Sequence, residues 1–170
     1  RFLLKWLFPD FPYNLIRIAD TRKPFLSNEA YHFSISHCGE FAAALVSSTH
    51  RVGVDVELAT PKVHKVLHKF LNREEEWLLE KMQNHQRFAG ISPDPFLMAT
   101  LLWSAKESVF KWYGKGNVDF SENMLLSEYA GGEAGRLNGF FSRGNQVPIT
   151  VGYRIFENLC LSWVCNDYTE

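Results

Sequence analysis

Val52-Gly53-Val54-Asp55-Val56-Glu57 alternates without a break: the three valines share one face, and Gly53, Asp55 and Glu57 share the other. Read as a strand, it buries its valine side and holds two carboxylates together on the opposite one. Upstream, Tyr31–Ser36 and Phe41–Ser47 are short apolar runs divided by His37-Cys38-Gly39-Glu40, which is strand–turn–strand chemistry. Polar Ser47–Arg51 then suggests that the second run and Val52–Glu57 form a hairpin. A further short strand is expected around Asn14–Ile18, in an aromatic-rich opening interrupted by Pro9, Pro12 and Pro24. Phe2, Trp6, Phe8, Phe11 and Tyr13 in that opening read as core, or as packing between halves.

Downstream, Pro61 ends the strand unit and Asn72-Arg73-Glu74-Glu75 opens a helix, with Asn72 as N-cap and Glu75 as its capping-box partner. Gly90 to Pro95 reads as a loop, and a second helix runs from about Pro95 to Tyr113, stopped by Gly114 and Gly116. Arg136–Ser142, Pro148–Phe156 and Leu159–Cys165 are strand-like, with Gly131-Gly132, Gly144-Asn145 and Glu157-Asn158 as turns. Strands, then helices, then strands predict an α+β fold, an α/β sandwich in preference to a doubly wound parallel sheet.

Composition narrows the function. At 170 residues and 46% hydrophobic, the chain suits one compact domain or two small packed halves, and a largely disordered chain is excluded. No apolar stretch is long enough to span a membrane, and Arg1–Phe8 is too short for a signal peptide. Eighteen Lys and Arg against nineteen Asp and Glu argue against a dedicated nucleic-acid binder. The charge is uneven: residues 61–115 carry nine basic and six acidic side chains, residues 117–170 three and seven. Such a basic middle suits an acidic partner or a phosphate-bearing ligand. Cys38, Cys160 and Cys165 lack metal-ligand spacing and read as reduced thiols, mostly in the core of a cytoplasmic protein.

The helix ending at Tyr113 carries the chemistry. On a wheel, Leu101, Leu102, Ala105, Val109 and Trp112 occupy an arc of about 100°, which is its core face. Lys106, Glu107 and Lys111 fall within about 140° on the other side, with Trp103 and Phe110 among them. Aromatics among the charges suggest a lined cleft. Asp55, Glu57 and Glu107 together give three carboxylates, enough for Mg²⁺, which keeps some waters and shares its other positions with phosphate oxygens. Lys106 and Lys111 beside it would neutralise further phosphate charge. Taken singly, the Asp-x-Glu pair reads equally as a solvated strand edge, and the Glu–Lys pair as surface dressing.

Gly53-Val54-Asp55-Val56-Glu57, followed by Trp103-Ser104-Ala105-Lys106-Glu107-Ser108-Val109-Phe110-Lys111, resembles the two signature motifs of the 4′-phosphopantetheinyl transferase superfamily. Phe33-Ser34-Ile35-Ser36-His37 resembles the S-x-S-H stretch of its Sfp-type branch, and Arg22-Lys23-Pro24 that branch's G-K-P segment, with Arg22 where Gly is usual. Gly114-Lys115-Gly116 matches the turn after the helix. The resemblance implies a fold of two pseudo-symmetric halves, residues 1–51 completing the first and 52–170 forming the second. It implies Mg-dependent transfer of the 4′-phosphopantetheine arm of coenzyme A to a serine of an acyl or peptidyl carrier protein, releasing 3′,5′-ADP. Asp55, Glu57 and Glu107 would hold the metal, and Glu107 is also the candidate base for the serine. Lys111 would stabilise the leaving phosphate and Lys106 would assist. Ser36 and His37 would meet the 3′-phosphate, while Lys23 and Pro24 border the adenine and phosphates. A cytoplasmic monomer acting on an acidic carrier, with neither nucleic acid nor membrane as partner, is expected.

Plainer readings stand beside these. His37 alone is a hydrogen-bonded turn histidine, Lys23 alone a solvated lysine, and Trp103 either walls the cleft or packs in the core. Two other functions fit the same residues: a different Mg-dependent phosphoryl-transfer enzyme or nuclease, and a non-catalytic carrier-binding module. The chain begins at Arg1 instead of Met, and the matched Lys23–His37 segment lies well inside the family's first half. The first half is therefore expected to be short at its front, through a segment preceding Arg1 or a reduced half.

Overall fold

A computed structural model describes residues 2–89 and 94–166. Helix α1 (Phe2–Leu7) is followed by a 3₁₀ turn at Tyr13–Leu15 and by the antiparallel pair β1 (Ile16–Ile18) and β2 (Pro24–Leu26). β3 (His32–Cys38) and β4 (Phe41–Ser47) form a hairpin, and β5 (Arg51–Leu58) follows. The helical section comprises a 3₁₀ turn at Val63–Val66, α2 (Leu67–Phe70), α3 (Arg73–Ala89), α4 (Leu97–Tyr113) and α5 (Phe120–Asn123). β6 (Met124–Gly131), β7 (Ala134–Arg143), β8 (Asn145–Phe156) and β9 (Leu159–Asn166) complete a five-stranded antiparallel sheet in the order β5-β9-β8-β7-β6. The architecture is mixed α+β. The loop expected at Gly90–Pro95 falls mainly on residues 90–93, outside the described residues.

The capping box forms as read. The Glu75 amide donates to Asn72 Oδ1 at 3.0 Å and the Asn72 amide to Glu75 Oε2 at 3.1 Å, so two amides that the helix start leaves over are satisfied reciprocally.

Three expectations need correction. β5 makes no hairpin ladder with β4; it pairs with β9, from Arg51–Asn166 to Leu58–Leu159. Its other edge is occupied by side chains: Ser34 Oγ accepts the Val54 amide at 3.0 Å and Ser36 Oγ the Val56 amide at 3.4 Å. Phe2 and Trp6 are not core, being 84% and 72% exposed. Two residues are about 200° of helical rotation, so seating Leu4 turns both outward. Phe8 is exposed as well, while Phe11 is buried with Leu4, Leu26 and Phe33 in a small N-terminal cluster. The cysteines divide differently too: Cys160 is buried, Cys38 half-buried and Cys165 exposed.

Several short elements were not read from the sequence, α1 and β6 among them. α1 is six residues with one buried side chain, too little to register as a period. In β6, Leu125 interrupts the alternation of buried Met124 and Leu126, and the register shifts between Leu126 and Glu128.

The main core lies between α4 and the five-stranded sheet, and the expected face of α4 (Leu101, Leu102, Ala105, Val109, Trp112) is fully buried in it. α4 rests directly on β5. A Cβ at Gly53 would stand 1.9 Å from the Ser108 carbonyl oxygen and 2.6 Å from the Trp112 amide nitrogen, so only glycine admits the helix there. Gly114, at φ 73°, ends α4 in the left-handed conformation, its amide donating to the Phe110 carbonyl at 2.9 Å.

Candidate functional site

Gly53, Asp55 and Glu57 share one face of β5, so the contact that Gly53 permits brings both carboxylates under α4, toward Glu107 and Lys111. Asp55 is 2% exposed. Its Oδ1 accepts from Lys111 Nζ at 2.6 Å and from Ser36 Oγ at 2.8 Å, and Ser36 Oγ itself accepts from Lys111 Nζ at 2.8 Å. Aspartate, serine and ammonium thus close a triangle joining β3, β5 and α4. Asp55 Oδ2 is buried and has no hydrogen-bond partner among the described residues.

Glu57 is half-buried, and the side chains of Cys38 and Trp103 lie beside its carboxylate. Burial, then the charge of Asp55, raises its carboxyl above the ordinary range. Glu107 is pushed further, to about 7, by burial first and then by Asp55, with Lys111 opposing and Glu57 adding to the rise. Three carboxylates therefore crowd one place with one ammonium among them.

This donor set fits a hard divalent cation. Among the described residues, no three His, Cys, Asp or Glu side chains converge as a ready-made cage. Mg²⁺ does not ask for one, since it binds through one or two carboxylates and takes its remaining oxygens from water and phosphate. A buried carboxylate oxygen without a partner and two acids whose charges repel are what such a cation would relieve.

Beside the carboxylates opens a cleft of about 350 Å³ lined by Arg22, Lys23, Pro24, His37, Phe110 and Lys111. Residues from three separate motifs thus meet at one surface. His37 is exposed there, and Ser36 lies one residue further in, on Asp55. The stem of Lys23 lines the cleft while its ammonium donates to the carbonyls of Lys111 and Trp112.

Lys106 does not join them. Its side chain is fully buried and its ammonium donates to Glu75 Oε2 at 2.6 Å and to the carbonyls of Phe70 and Phe120 at 2.5 and 2.8 Å. The side of α4 opposite the core face is not all cleft, because α2 and α5 cover the part that carries Lys106. Of the roles open to it, Trp103 takes the packing one: its ring meets Phe70 edge-on at 5.1 Å against the core, with Glu57 beside it.

Sequence reasoning missed Cys38 and Thr21. Cys38 sits next to His37 and reaches Glu57 from the end of β3. Thr21 Oγ1 donates to the Gly114 carbonyl at 3.2 Å, a contact 93 residues away in the chain that no local pattern signals.

Arg22 stands where the resembling family has glycine, and its φ is 65°. That conformation costs a non-glycine residue about 1–2 kcal/mol, against roughly 0.5–1 kcal/mol of extra chain entropy lost by glycine. Arg22→Gly is therefore expected to raise stability slightly, by about 0.5 kcal/mol, in urea unfolding at unchanged slope. A loss of stability would show that the guanidinium contributes more than the backbone costs.

No described helix is long and apolar enough to cross a membrane. Residues 51–150 match the family model of the 4′-phosphopantetheinyl transferase superfamily. A protein of Synechocystis sp., provisionally named a 4′-phosphopantetheinyl transferase, is 29% identical over 148 residues, which are 81% of this chain and 56% of the relative. The chain thus spans a little over half the length of that relative. The matched region holds both the strand that supplies Asp55 and Glu57 and the helix that supplies Glu107 and Lys111, so the chain belongs to the 4′-phosphopantetheinyl transferase superfamily.

Proposed function

We propose that the protein transfers the 4′-phosphopantetheine group of coenzyme A to a serine of an acyl or peptidyl carrier protein, in the manner of the Sfp-type branch. The observation that carries this reading is Lys111, which lines a cleft walled by Arg22–Pro24 and His37 while its ammonium sits on Asp55, whose charge in turn acts on Glu57 and Glu107. Coenzyme A would lie in that cleft with its nucleotide end toward Arg22, Pro24 and His37 and its pyrophosphate toward Lys111.

Asp55, Glu57 and Glu107 would hold Mg²⁺, which supplies charge neutralisation at the pyrophosphate when bound. The carrier serine Oγ forms a bond to the phosphorus nearest the pantetheine arm, and the bond from that phosphorus to the bridging oxygen breaks. The electron pair leaves with 3′,5′-ADP. Glu107, whose charge lies beside those of Asp55 and Glu57, is the group proposed to accept the serine proton, directly or through a water. Lys111 needs only to move its ammonium from Asp55 Oδ1 to a phosphate oxygen to oppose the charge that grows on the leaving group.

The carrier would approach across Lys62, Lys65 and Lys69, which are exposed on a stretch without a carboxylate from Thr60 to Asn72. Within that stretch Phe70 packs on Trp103, beside Glu57. An acidic carrier surface matches it. The free thiols accord with a cytoplasmic setting.

Incubation with coenzyme A, Mg²⁺ and one apo carrier each from fatty-acid, polyketide and peptide assembly tests the reading. A phosphopantetheine mass gain on at least one carrier is expected, whereas failure to bind coenzyme A would overturn it. The metal site has its own test. Because the folded-state value of Glu107 lies at about 7, above the ordinary 4.5, the folded form binds more protons than the unfolded across that interval. Without metal, the contribution of Glu107 to stability is full below 4.5 and lost as pH rises through about 7. Mg²⁺ must displace a proton at pH 5.5 and none at pH 8. Its stabilising shift in melting temperature is expected to be larger at pH 8; equal shifts would remove Glu107 from the ligand set.

A further inference from the structure

Residue 111 is held from both ends. Its ammonium is fixed by Asp55 and Ser36, and its carbonyl accepts from the Lys23 ammonium, which also reaches the Trp112 carbonyl at 3.4 Å. These carbonyls belong to the last turn of α4, where the helix leaves its acceptors without internal partners and carries its negative dipole end. Thr21, two residues before Lys23, secures a carbonyl two residues further on, that of Gly114, at 3.2 Å. The fit is close. A Cβ on Gly114 would stand 2.7 Å from both Cδ and Nζ of Lys23. The ammonium is largely withdrawn from water, and burial, followed by the nearby Arg51 charge, brings its pKa down to about 8.

We infer that Lys23 is a positioning residue: it clamps the C-terminal turn of α4 so that the Lys111 ammonium lies on the Asp55 side of the cleft. Two backbone acceptors at the end of α4 hold its amine, so its contribution to the reaction runs through residue 111. The β1–β2 connection, remote in sequence from the catalytic helix, thereby sets where that helix delivers its charge.

The inference rests on the proposed transferase reading for its kinetic test, and it has a second test that does not. Lys23→Met keeps the stem and removes the donor. In the transfer assay kcat is expected to fall by about 10- to 100-fold, as for a displaced catalytic group, with KM for coenzyme A changed by less than about threefold. In a Lys111→Met background the same change is expected to lower kcat no further, because the group it positions is gone. Lys23→Arg, which can still donate to carbonyls, is expected to recover part of the loss. A rise of tenfold or more in KM for coenzyme A with kcat unchanged would overturn the inference and make Lys23 a ligand contact. If the protein neither bound coenzyme A nor transferred from it, the functional reading would fail, and thermal melting without ligand would decide this point alone. Lys23→Met, and separately Thr21→Val, should then each lower the melting temperature by several degrees. Unchanged melting in both would overturn the clamp.

Discussion

Glu107→Gln is expected to reduce transfer by about 10²–10⁴-fold while the protein, free of metal at pH 8, melts at the same temperature or slightly higher. The two halves of this result have one cause. The Glu107 carboxyl is driven up to about 7 because it is buried and faces Asp55 and Glu57. Ionised at pH 8, it adds a third negative charge to a place that holds one ammonium, and glutamine removes that charge at constant shape. On the proposed mechanism the same substitution also deletes the proton acceptor and one oxygen of the cation site. The measurements are a carrier mass assay and a melting curve on one preparation. A variant that kept most of its transfer rate would show that the proton of the carrier serine leaves by another route. A variant that melted much earlier would show that Glu107 is a structural anchor.

Glu75→Ala is expected to cost about 3–5 kcal/mol, the range for breaking a buried ion pair from one side. Glu75 is fully buried and serves three elements. Its Oε2 accepts from Lys106 and from the Asn72 amide, which begins α3, and its Oε1 accepts the Leu126 amide of β6 at 2.9 Å. Removing it leaves the Lys106 ammonium charged and fully buried, with only the Phe70 and Phe120 carbonyls. For a chain of 170 residues, this corresponds to a fall in melting temperature of roughly 10 °C. The double variant Glu75→Met with Lys106→Met is expected to melt above Glu75→Ala, since an apolar pair leaves no charge stranded. Were Glu75→Ala to unfold like the parent protein in urea, the pair would contribute nothing net. Transfer activity is expected to separate the two lysines of α4, with Lys106 acting through the fold and Lys111, on the proposed mechanism, at the phosphate.

The sequence made the alternation of Val52–Glu57 and the two-sided wheel of Leu97–Tyr113 legible, and with them the meeting of strand and helix. Periodicity reports which residues share a face, and that sufficed for Asp55, Glu57, Glu107 and Lys111. It does not report what covers the face. Lys106 lies on the polar side of the wheel, yet α2 and α5 close over it, and their four residues each are too short to be seen as periodic elements. Glu75 was legible as a capping-box acid because its partner is three residues away; its ion pair spans 31 residues and was not. The pairing of β5 with β9 was hidden for the same reason. A polar segment after β4 predicts a turn but not which edge the next strand finds. Lys23 was expected at the ligand and lines the cleft, while the partners of its amine depend on where α4 ends in space.

The hydroxyl contacts along the outer edge of β5 have a consequence for motion. A backbone ladder opens only when successive bonds break in concert, whereas Ser34 and Ser36 can each let go by turning about one side-chain torsion. The seam between the β3–β4 hairpin and β5 is thus built to breathe without unfolding either strand. The amides of Val54 and Val56 should exchange with deuterated solvent ahead of those bonded across to β9. Each such opening at Ser36 would also loosen the Lys111 and Asp55 contacts, so on the proposed reading ligand entry and release of the Lys111 charge can proceed as one movement.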